Sequence, residues 1–202
     1  MLSAFSHRLG LTVGQVAIKD KTNEIGAMPD LLLDLVLEGR VFTMDALHTQ
    51  RETAQTIVAG KGDYMMLIKE NQPTLQADIA LVFTGQDAPL FIEECAATLG
   101  KVHGRIEVRT IQTCSALNDF LAGPGVQQVF RLDHTTTLLK TQHVRAETVY
   151  GVTSLSPRRA GAAILLRTVR GQWSIENRSH WVRDMSFPFC TARTRLLCVT
   201  SV

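Results

Sequence analysis

The order of hydrophobic patterns in the first 84 residues is the feature that most restricts the fold. Two strand patterns come first, in LSAFSHRL and VGQVAIKD, and only a short hairpin connection separates them. Helical and strand patterns then alternate, with helices predicted in MPDLLLDLVLEG, TQRETAQTIVAGKG and NQPTLQADIALVF, and strands in RVFTMDA and DYMMLIKE. This β-β-α-β-α-β-α order predicts an α/β fold with a mixed sheet flanked by helices.

The pattern changes after residue 84. Strand patterns dominate residues 85–156, in GRIEVRTIQTC, QQVFRLDH and ETVYGVTSL, and the helical period returns in RRAGAAILLRTVRGQWSIENRSHWVRD. The sequence therefore predicts an α/β part over 1–84, a β-rich insertion over 85–156, a closing helical region over 157–187 and a tail over 188–202.

Composition narrows the class of protein. No apolar run approaches the roughly 18 residues that a membrane span requires, and the N-terminus does not resemble a secretory signal. The four cysteines have neither CxxC spacing nor the pattern of a disulfide framework. We expect a cytoplasmic protein with no membrane partner and no zinc site.

Asp45 ends a predicted central strand, where α/β sheets place ligand-binding groups. The alternative is an Asx-turn that leads into the next helix. Thr49 and Glu52 have the spacing of a capping box, so Asp45 is not needed as the cap of that helix. His48 lies next to this position either as a support for Asp45 or, more simply, as a surface residue.

Glu176 interrupts an aromatic helix face. At helical spacing, one face carries Trp173, Glu176, Asn177, His180, Trp181 and Asp184. A carboxylate on a buried face must be paired, hydrogen-bonded or bound to a metal. A structural ion pair with Arg170, Arg178 or Arg183 is the alternative to metal binding, and the two tryptophans are most simply core residues.

Arginines accumulate in the same region. Residues 157–195 contain eight arginines against one Glu and one Asp, a net charge of 8 − 2 = +6, which leaves −4 for the rest of a chain of net charge +2. Arginine is suited to bidentate phosphate contacts, although a solvated basic face is the alternative. Two carboxylates beside such a segment are suited to Mg²⁺-dependent phosphodiester chemistry of the two-metal type, with the arginines holding the DNA backbone.

Two long blocks of the chain resemble DDE transposases of bacterial insertion sequences, in particular the H-repeat-associated subgroup. They are TMDALHTQRETAQTIVAGKGDYMMLIKENQPTL and RGQWSIENRSHWVRDMSF, and the similarity runs from SAFSHRLGL to about Phe187. The resemblance implies an RNase H-like catalytic domain with a β-rich insertion before the last catalytic helix. It implies that Asp45 and Glu176 are the second and third acidic residues of the triad, and that they bind Mg²⁺ or Mn²⁺.

The resemblance also implies DNA contacts. Arg183 matches a basic residue that contacts DNA near the reacting end in related transposases, and the sites expected to bind DNA are Arg183, Arg178, Arg170, Lys69, Asn71 and Gln72. The last three match the family's K-x-N-Q. The implied partners are the DNA ends of an insertion sequence, and a second copy or a full-length transposase.

The chain departs from the family pattern in two ways. The first aspartate of the family lies in a D-G-K context before SAFSHRLGL, and the usual G-E-D stretch after Phe187 is replaced by FPFCTARTRLLCVTSV. Loss of the first strand is expected to remove a centre of the sheet and to expose edges. The tail over 188–202 is expected to be disordered or poorly packed.

These observations predict a transposase-derived domain for metal-dependent DNA strand cleavage and transfer, here an inactive truncated remnant. The first alternative is a non-enzymatic DNA-binding or subunit-interaction fragment that interferes with a full-length transposase. The second is a metal hydrolase of small phosphate esters that uses Asp45, His48, Glu176 and His180.

Overall fold

The computed structural model describes residues 2–7, 9–18, 25–102, 104–171 and 195–200 of the 202-residue chain. The chain forms two compact units: Met1–Met66 with Thr168–Val202 (the first unit), and Leu67–Arg167 (the second unit). Up to residue 84, helices and strands follow the order that the sequence predicts, and the mixed α/β class is confirmed. The domain boundaries at residues 84, 156 and 187 stay predictions.

The elements up to residue 68 follow the predicted order with shorter bounds. They are β1 (Leu2–Ser6), β2 (Leu11–Val16), α1 (Met28–Leu33), β3 (Val41–Met44), a 3-10 turn (Ala46–His48), α2 (Arg51–Ala59) and β4 (Asp63–Ile68). Pro29 lies in the first turn of α1, where its missing N–H is not needed. Apolar residues on one side of each helix, such as Leu31 and Ile57, are buried.

A strand from the far end of the chain completes the sheet of the first unit. This strand, β9 (Arg195–Thr200), lies between β1 and β3 in the order β2-β1-β9-β3-β4. It pairs parallel with β1 and antiparallel with β3, while β3 pairs parallel with β4 and β1 pairs antiparallel with β2.

The expectations of exposed edges and of a poorly packed tail do not hold for residues 195–200. The run Leu197, Cys198 and Val199 is buried, and β9 pairs with both neighbouring strands. The physical reason is that a short apolar run gains more by completing the sheet than by remaining in solvent. Residues 188–194, 201 and 202 of the tail lie outside the described residues.

Small residues allow α1 and the segment after it to approach the first-unit sheet and α2 closely. A Cβ added at Gly14 on β2 would lie 3.2 Å from Leu31 Cδ1, and one added at Gly60 would lie 2.5 Å from Leu37 Cδ1. Larger residues at these two positions would push the helical layer away from its contacts.

The second unit contains an antiparallel sheet. Its elements are α3 (Pro73–Thr84), α4 (Ala88–Phe91), β5 (Glu94–Val102), β6 (Arg105–Cys114), β7 (Gln128–Leu138), β8 (Val144–Thr153) and the first part of α5, whose described helical residues are 162–171. The strands pair in the order β8-β7-β6-β5. Phe83 of α3 stacks on Tyr150 of β8 with ring centroids 6.5 Å apart, which joins the helix to one face of the sheet.

The sequence predicted three of these four strands and missed β5. The stretch ECAATLGKV has small residues and no clear polar–apolar alternation, so it gives little local strand signal. Its pairing with β6 is nevertheless continuous over nine residues, and Gly104, with a φ of +76°, provides the left-handed turn between the two strands.

Candidate active site

Asp45 follows the last residue of β3 directly. Its backbone is extended, with φ −75° and ψ 172°, so the side chain continues the strand alternation and lies on the same sheet face as Val41 and Thr43. The residue is half-buried, and its Oδ1 atom is inaccessible to solvent. A carboxylate at this point is held in position by a strand whose four residues are all buried.

The structure does not support a capping role for Asp45. Asp45 precedes the 3-10 turn Ala46–His48, but its side chain forms no capping hydrogen bond there. The Asp45 carbonyl oxygen instead accepts hydrogen bonds from the His48 N–H and the Thr49 hydroxyl, each at 3.2 Å. The carboxylate is therefore not used to start the turn.

Two local predictions around Asp45 are wrong. The N-cap of α2 is Gln50, one residue after the predicted Thr49, and the Gln50 side chain forms no capping hydrogen bond. His48 is 2% exposed and thus buried, whereas the surface was the simpler expectation. The 3-10 turn explains both differences, because it shifts the helix start by one residue and turns the imidazole inward.

Two side chains fix the start of α5, the helix that precedes Glu176 in the chain. The Glu94 carboxylate accepts a hydrogen bond from the Ala162 N–H at 2.7 Å, where a negative charge also complements the helix dipole. The buried Gln128 amide donates to the carbonyl oxygens of Leu155 at 2.7 Å and Ala160 at 3.0 Å. A Cβ at Gly161 would collide with the Glu94 carboxylate, so the glycine is required for this contact.

The last described residue of α5, Gly171, lies against the end of β1. A Cβ added there would be 2.6 Å from His7 Nε2, and the His7 N–H donates to the Val199 carbonyl oxygen at 3.0 Å. Because β1 and β3 both pair with β9, in opposite senses, β1 is antiparallel to β3. His7 is therefore at the opposite end of this sheet from Asp45.

Residues 172–194 lie outside the described residues. They include Glu176 with its neighbours Trp173, Asn177, His180 and Trp181, and also Arg178, Arg183 and Asp184. The predicted approach of Glu176 to Asp45, and the alternative ion pair of Glu176 with an arginine, both stay predictions.

Several of the expected DNA-binding side chains are exposed. Arg158, Arg159, Arg167 and Arg170 all face solvent. Lys69 and Asn71 are exposed in the turn after β4, where the Gln72 N–H donates to the Lys69 carbonyl oxygen at 3.0 Å and Gln72 precedes α3. Arg195 belongs to β9 and is part of the sheet backbone.

Sequence reasoning missed a charged cluster on β6. The carboxylate of Glu107, which is 9% exposed, accepts from Arg105 Nε and Arg109 Nη2, each at 2.7 Å. Burial alone would raise the pKa of Glu107, but the hydrogen bond from Arg109 and the two arginine charges lower it below its ordinary value. The alternation R-I-E-V-R puts all three charges on one face of a strand and could have revealed the cluster.

The described part of the cluster continues onto β7. His134 is the cross-strand partner of Arg109, and burial and the Arg109 charge lower the pKa of its imidazole. Its Nε2 atom lies 3.3 Å from the Thr136 hydroxyl. The cluster is a partly buried ion network of the second unit.

The Asp45 carboxylate has the type of oxygen atom that Mg²⁺ and Mn²⁺ prefer as a ligand. Within the described ranges, no group of three or more His, Cys, Asp or Glu side chains could hold a metal ion. The half-buried carboxylate, which does not cap the turn, fits a divalent ion but requires further ligands.

Among the residues that the structure describes, no helix is long and apolar enough to cross a membrane.

Comparison with known proteins identifies the class. The sequence pattern of the family described as "Transposase DDE domain" matches residues 1–196. The chain therefore belongs to the DDE transposase domain family, which confirms the resemblance drawn from the two sequence blocks.

Two relatives from Escherichia coli are informative. The "H repeat-associated putative transposase YhhI" of strain K12 is 28% identical over 191 residues, which cover 92% of this chain and 50% of the relative. The "Putative transposase YncI" of O157:H7 is 28% identical over 202 residues, covering 96% and 50%. The chain thus spans about half the length of the curated relatives it matches, and no solved structure matches it.

Proposed function

We propose that these 202 residues form a transposase catalytic domain for metal-dependent cleavage and transfer of DNA strands at the ends of an insertion sequence. The observation that carries the proposal is the family match over residues 1–196, with Asp45 directly at the end of a buried strand. The mixed sheet is consistent with an RNase H-like domain whose β-rich insertion, over 85–156, precedes the last catalytic helix. Its site of action would be the bacterial cytoplasm, where its DNA substrate lies.

Asp45 and Glu176 are the proposed metal ligands. Mg²⁺ or Mn²⁺, when bound as a pair, activates the attacking oxygen and stabilises the leaving oxygen of a phosphodiester. The role of the chain is then to hold carboxylate oxygens in position: Asp45 through β3, and Glu176 through the helical region that Glu94 and Gln128 fix at its start. Two carboxylates are fewer than the three that the family pattern uses.

The first aspartate of the family pattern is not among residues 1–202. We therefore propose that these residues alone do not cleave DNA, and that cleavage depends on a carboxylate supplied from outside them. The acidic residues of such a site act as one unit, so the loss of any one lowers the rate by orders of magnitude.

The arginines provide the proposed DNA contacts. Exposed Arg167 and Arg170 lie three residues apart on α5, in the first half of the segment of charge +6, and Lys69, Asn71 and Gln72 are the further proposed contacts. Phosphate contacts by arginine make binding weaken steeply with salt. The same exposure favours a second candidate function, in which the chain binds DNA or a full-length transposase without catalysis and interferes with transposition.

A binding assay tests the DNA contacts. Fluorescence anisotropy with terminal-repeat duplexes should show binding that weakens with salt, and the double substitution Arg167→Ala, Arg170→Ala should reduce the salt slope by about 2. Lys140→Ala is the matched control, because this exposed lysine lies in the β7–β8 turn outside the basic segment. An unchanged slope in the double variant would contradict the proposed interface.

A cleavage assay separates the two functions. The chain is incubated with Mn²⁺ and a plasmid that carries the terminal repeats, and we expect salt-sensitive binding with no nicking above background. Nicking that disappears in Glu176→Gln would support the catalytic assignment of Glu176 and overturn the claim that residues 1–202 are inactive alone. Nicking that survives this substitution would contradict the proposed site.

A further inference from the structure

The last strand of the second-unit sheet has an open edge. Among the described residues, β5 pairs only with β6, in a continuous register from Glu94↔Thr113 to Val102↔Arg105. In an antiparallel pair, every second residue directs its backbone N–H and C=O away from the partner strand. β5 therefore presents unpaired backbone groups along about 30 Å, and such an edge is a template for a further strand.

The β5 edge, by which we mean residues 94–102, has few of the features that protect an open edge from pairing. Natural proteins commonly interrupt such edges with central charges, prolines or bulges. The strand ECAATLGKV contains no proline, and its register with β6 has no bulge. Its two charged residues lie near the ends: Glu94, which is engaged with the start of α5, and Lys101. The centre of β5 is thus suited to pairing with another strand.

Exposed apolar side chains adjoin this edge. Leu99 is 76% exposed, and its cross-strand partner on β6, Val108, is 38% exposed. Ala97, two residues before Leu99, is exposed on the same sheet face. Adjoining apolar side chains at a surface mark an interaction site, and a strand added to β5 would cover Leu99. Only one charge of β5, that of Lys101, lies on this face, so the face does not fit a phosphate backbone.

The sequence of β5 is complementary to itself. Thr98 is the middle residue, so a second copy related by a two-fold axis at Thr98 would pair antiparallel with the whole strand. In that register the small Ala97 lies opposite the large Leu99 of the second copy. Cys95 lies opposite Lys101, so no like charges meet across the pair.

The centre of the β5 edge also contains a polar atom that a second copy could satisfy. The Thr98 hydroxyl is inaccessible to solvent and has no hydrogen-bond partner among the described residues, which is unfavourable. We propose that the β5 edge is a homodimer interface, in which two copies of this chain pair β5 antiparallel about a two-fold axis at Thr98. The two Thr98 side chains then lie directly opposite on one face, as a favourable threonine pair. One strand pair is a small interface, so we expect a dissociation constant in the micromolar range.

Sedimentation velocity of the 202-residue chain tests the interface. Leu99→Lys and Ala97→Glu should each raise the dissociation constant of the dimer about tenfold, because an apolar cross-strand contact is lost twice and like charges approach diagonally across the axis. An equimolar mixture of the two variants should recover dimerisation, because the new carboxylate of one chain lies opposite the new ammonium group of the other. Val144→Lys is the matched control: Val144 is a 57% exposed strand residue on β8, so its replacement should leave the dissociation constant unchanged.

A monomer at every concentration would overturn the proposal, as would a dimer that neither substitution weakens or a mixture that does not recover. If the protein is monomeric and the β5 amides are nevertheless protected from hydrogen exchange, another segment covers the edge and the second copy is the wrong occupant.

A cross-link tests the register. Directly opposed antiparallel residues have Cα atoms about 4.5–5.5 Å apart, within the range of about 4.4–6.8 Å that disulfides tolerate. In a Cys95→Ser background, Thr98→Cys should therefore form a disulfide-linked dimer under mild oxidation. Leu99→Cys is the control, because the two copies of this position would lie diagonally, about 7–8 Å apart, and should cross-link less. Equal cross-linking of the two variants would contradict an axis at Thr98.

Discussion

Replacing Thr43 with valine is expected to stabilise the first unit. The hydroxyl of Thr43 is buried and has no hydrogen-bond partner among the described residues, which costs about 1–3 kcal/mol, and the added methyl group contributes up to about 0.8 kcal/mol of apolar burial. Since valine keeps the β-branched shape, we expect a net gain of about 1–2 kcal/mol. For a chain of this size, that gain corresponds to a rise in Tm of about 2–8 °C.

Hydrogen exchange measured by mass spectrometry is the assay, because peptides from β3 and β4 report on the first unit separately. Thr153→Val is the matched control: Thr153 is equally buried in a strand, but its hydroxyl accepts from the Leu155 N–H at 3.1 Å. The control should lose about 1–2 kcal/mol, since it leaves a buried N–H without its partner. If Thr43→Val destabilises β3 as much as Thr153→Val destabilises β8, the hydroxyl of Thr43 is satisfied and the reasoning is refuted.

Three further substitutions probe contacts around the candidate site and the β-rich insertion. Because folding lowers the pKa of Glu107, its carboxylate stabilises the fold above the unfolded pKa of about 4.3, and this stabilisation is lost as the pH falls through the folded pKa. In Glu107→Gln, the free energy of unfolding in urea should therefore decrease less between about pH 5 and 3 than it does in the unchanged protein. Gly171→Ala should lower the free energy of unfolding, measured by thermal denaturation, by about 1 kcal/mol, because the added Cβ would meet the His7 ring. This loss should vanish when His7 is also replaced by alanine, and an unchanged loss would exclude the contact. Glu94→Ala should cost about 1 kcal/mol, seen as faster hydrogen exchange at Ala162, and Glu94→Gln should cost less because an amide oxygen still accepts; equal losses would contradict a capping role.

Local patterns were sufficient for the elements that precede the site. The alternation of short apolar strands with helices up to residue 84 predicted their order, and Asp45 was placed correctly at the end of a strand because that position depends only on where the apolar run stops. The burial of His48 was not predictable in this way, because a three-residue turn carries no periodicity.

Pairing between strands that are distant in the sequence accounts for the larger differences between the predicted and the observed fold. The stretch RLLCVT does not indicate which strands it pairs with, and its departure from the family pattern predicted a poorly packed tail. In the structure, however, it forms β9 in the middle of the first-unit sheet. In the same way, β5 lacks a local strand signal and is defined by its continuous pairing with β6. Strand order depends on contacts between distant parts of the chain, which local propensity does not encode.

The most direct test of the proposed function is to map the metal site on the protein itself. Fe²⁺ bound in place of Mg²⁺ generates hydroxyl radicals with ascorbate and peroxide, and these cut the backbone close to the ion. We expect cuts near residue 45 and near residue 176 that excess Mg²⁺ suppresses and that Asp45→Asn abolishes, while the exposed control Asp30→Asn leaves them unchanged. Cuts near only one of the two positions, or cuts that neither Mg²⁺ nor Asp45→Asn reduces, would contradict a metal site shared by Asp45 and Glu176.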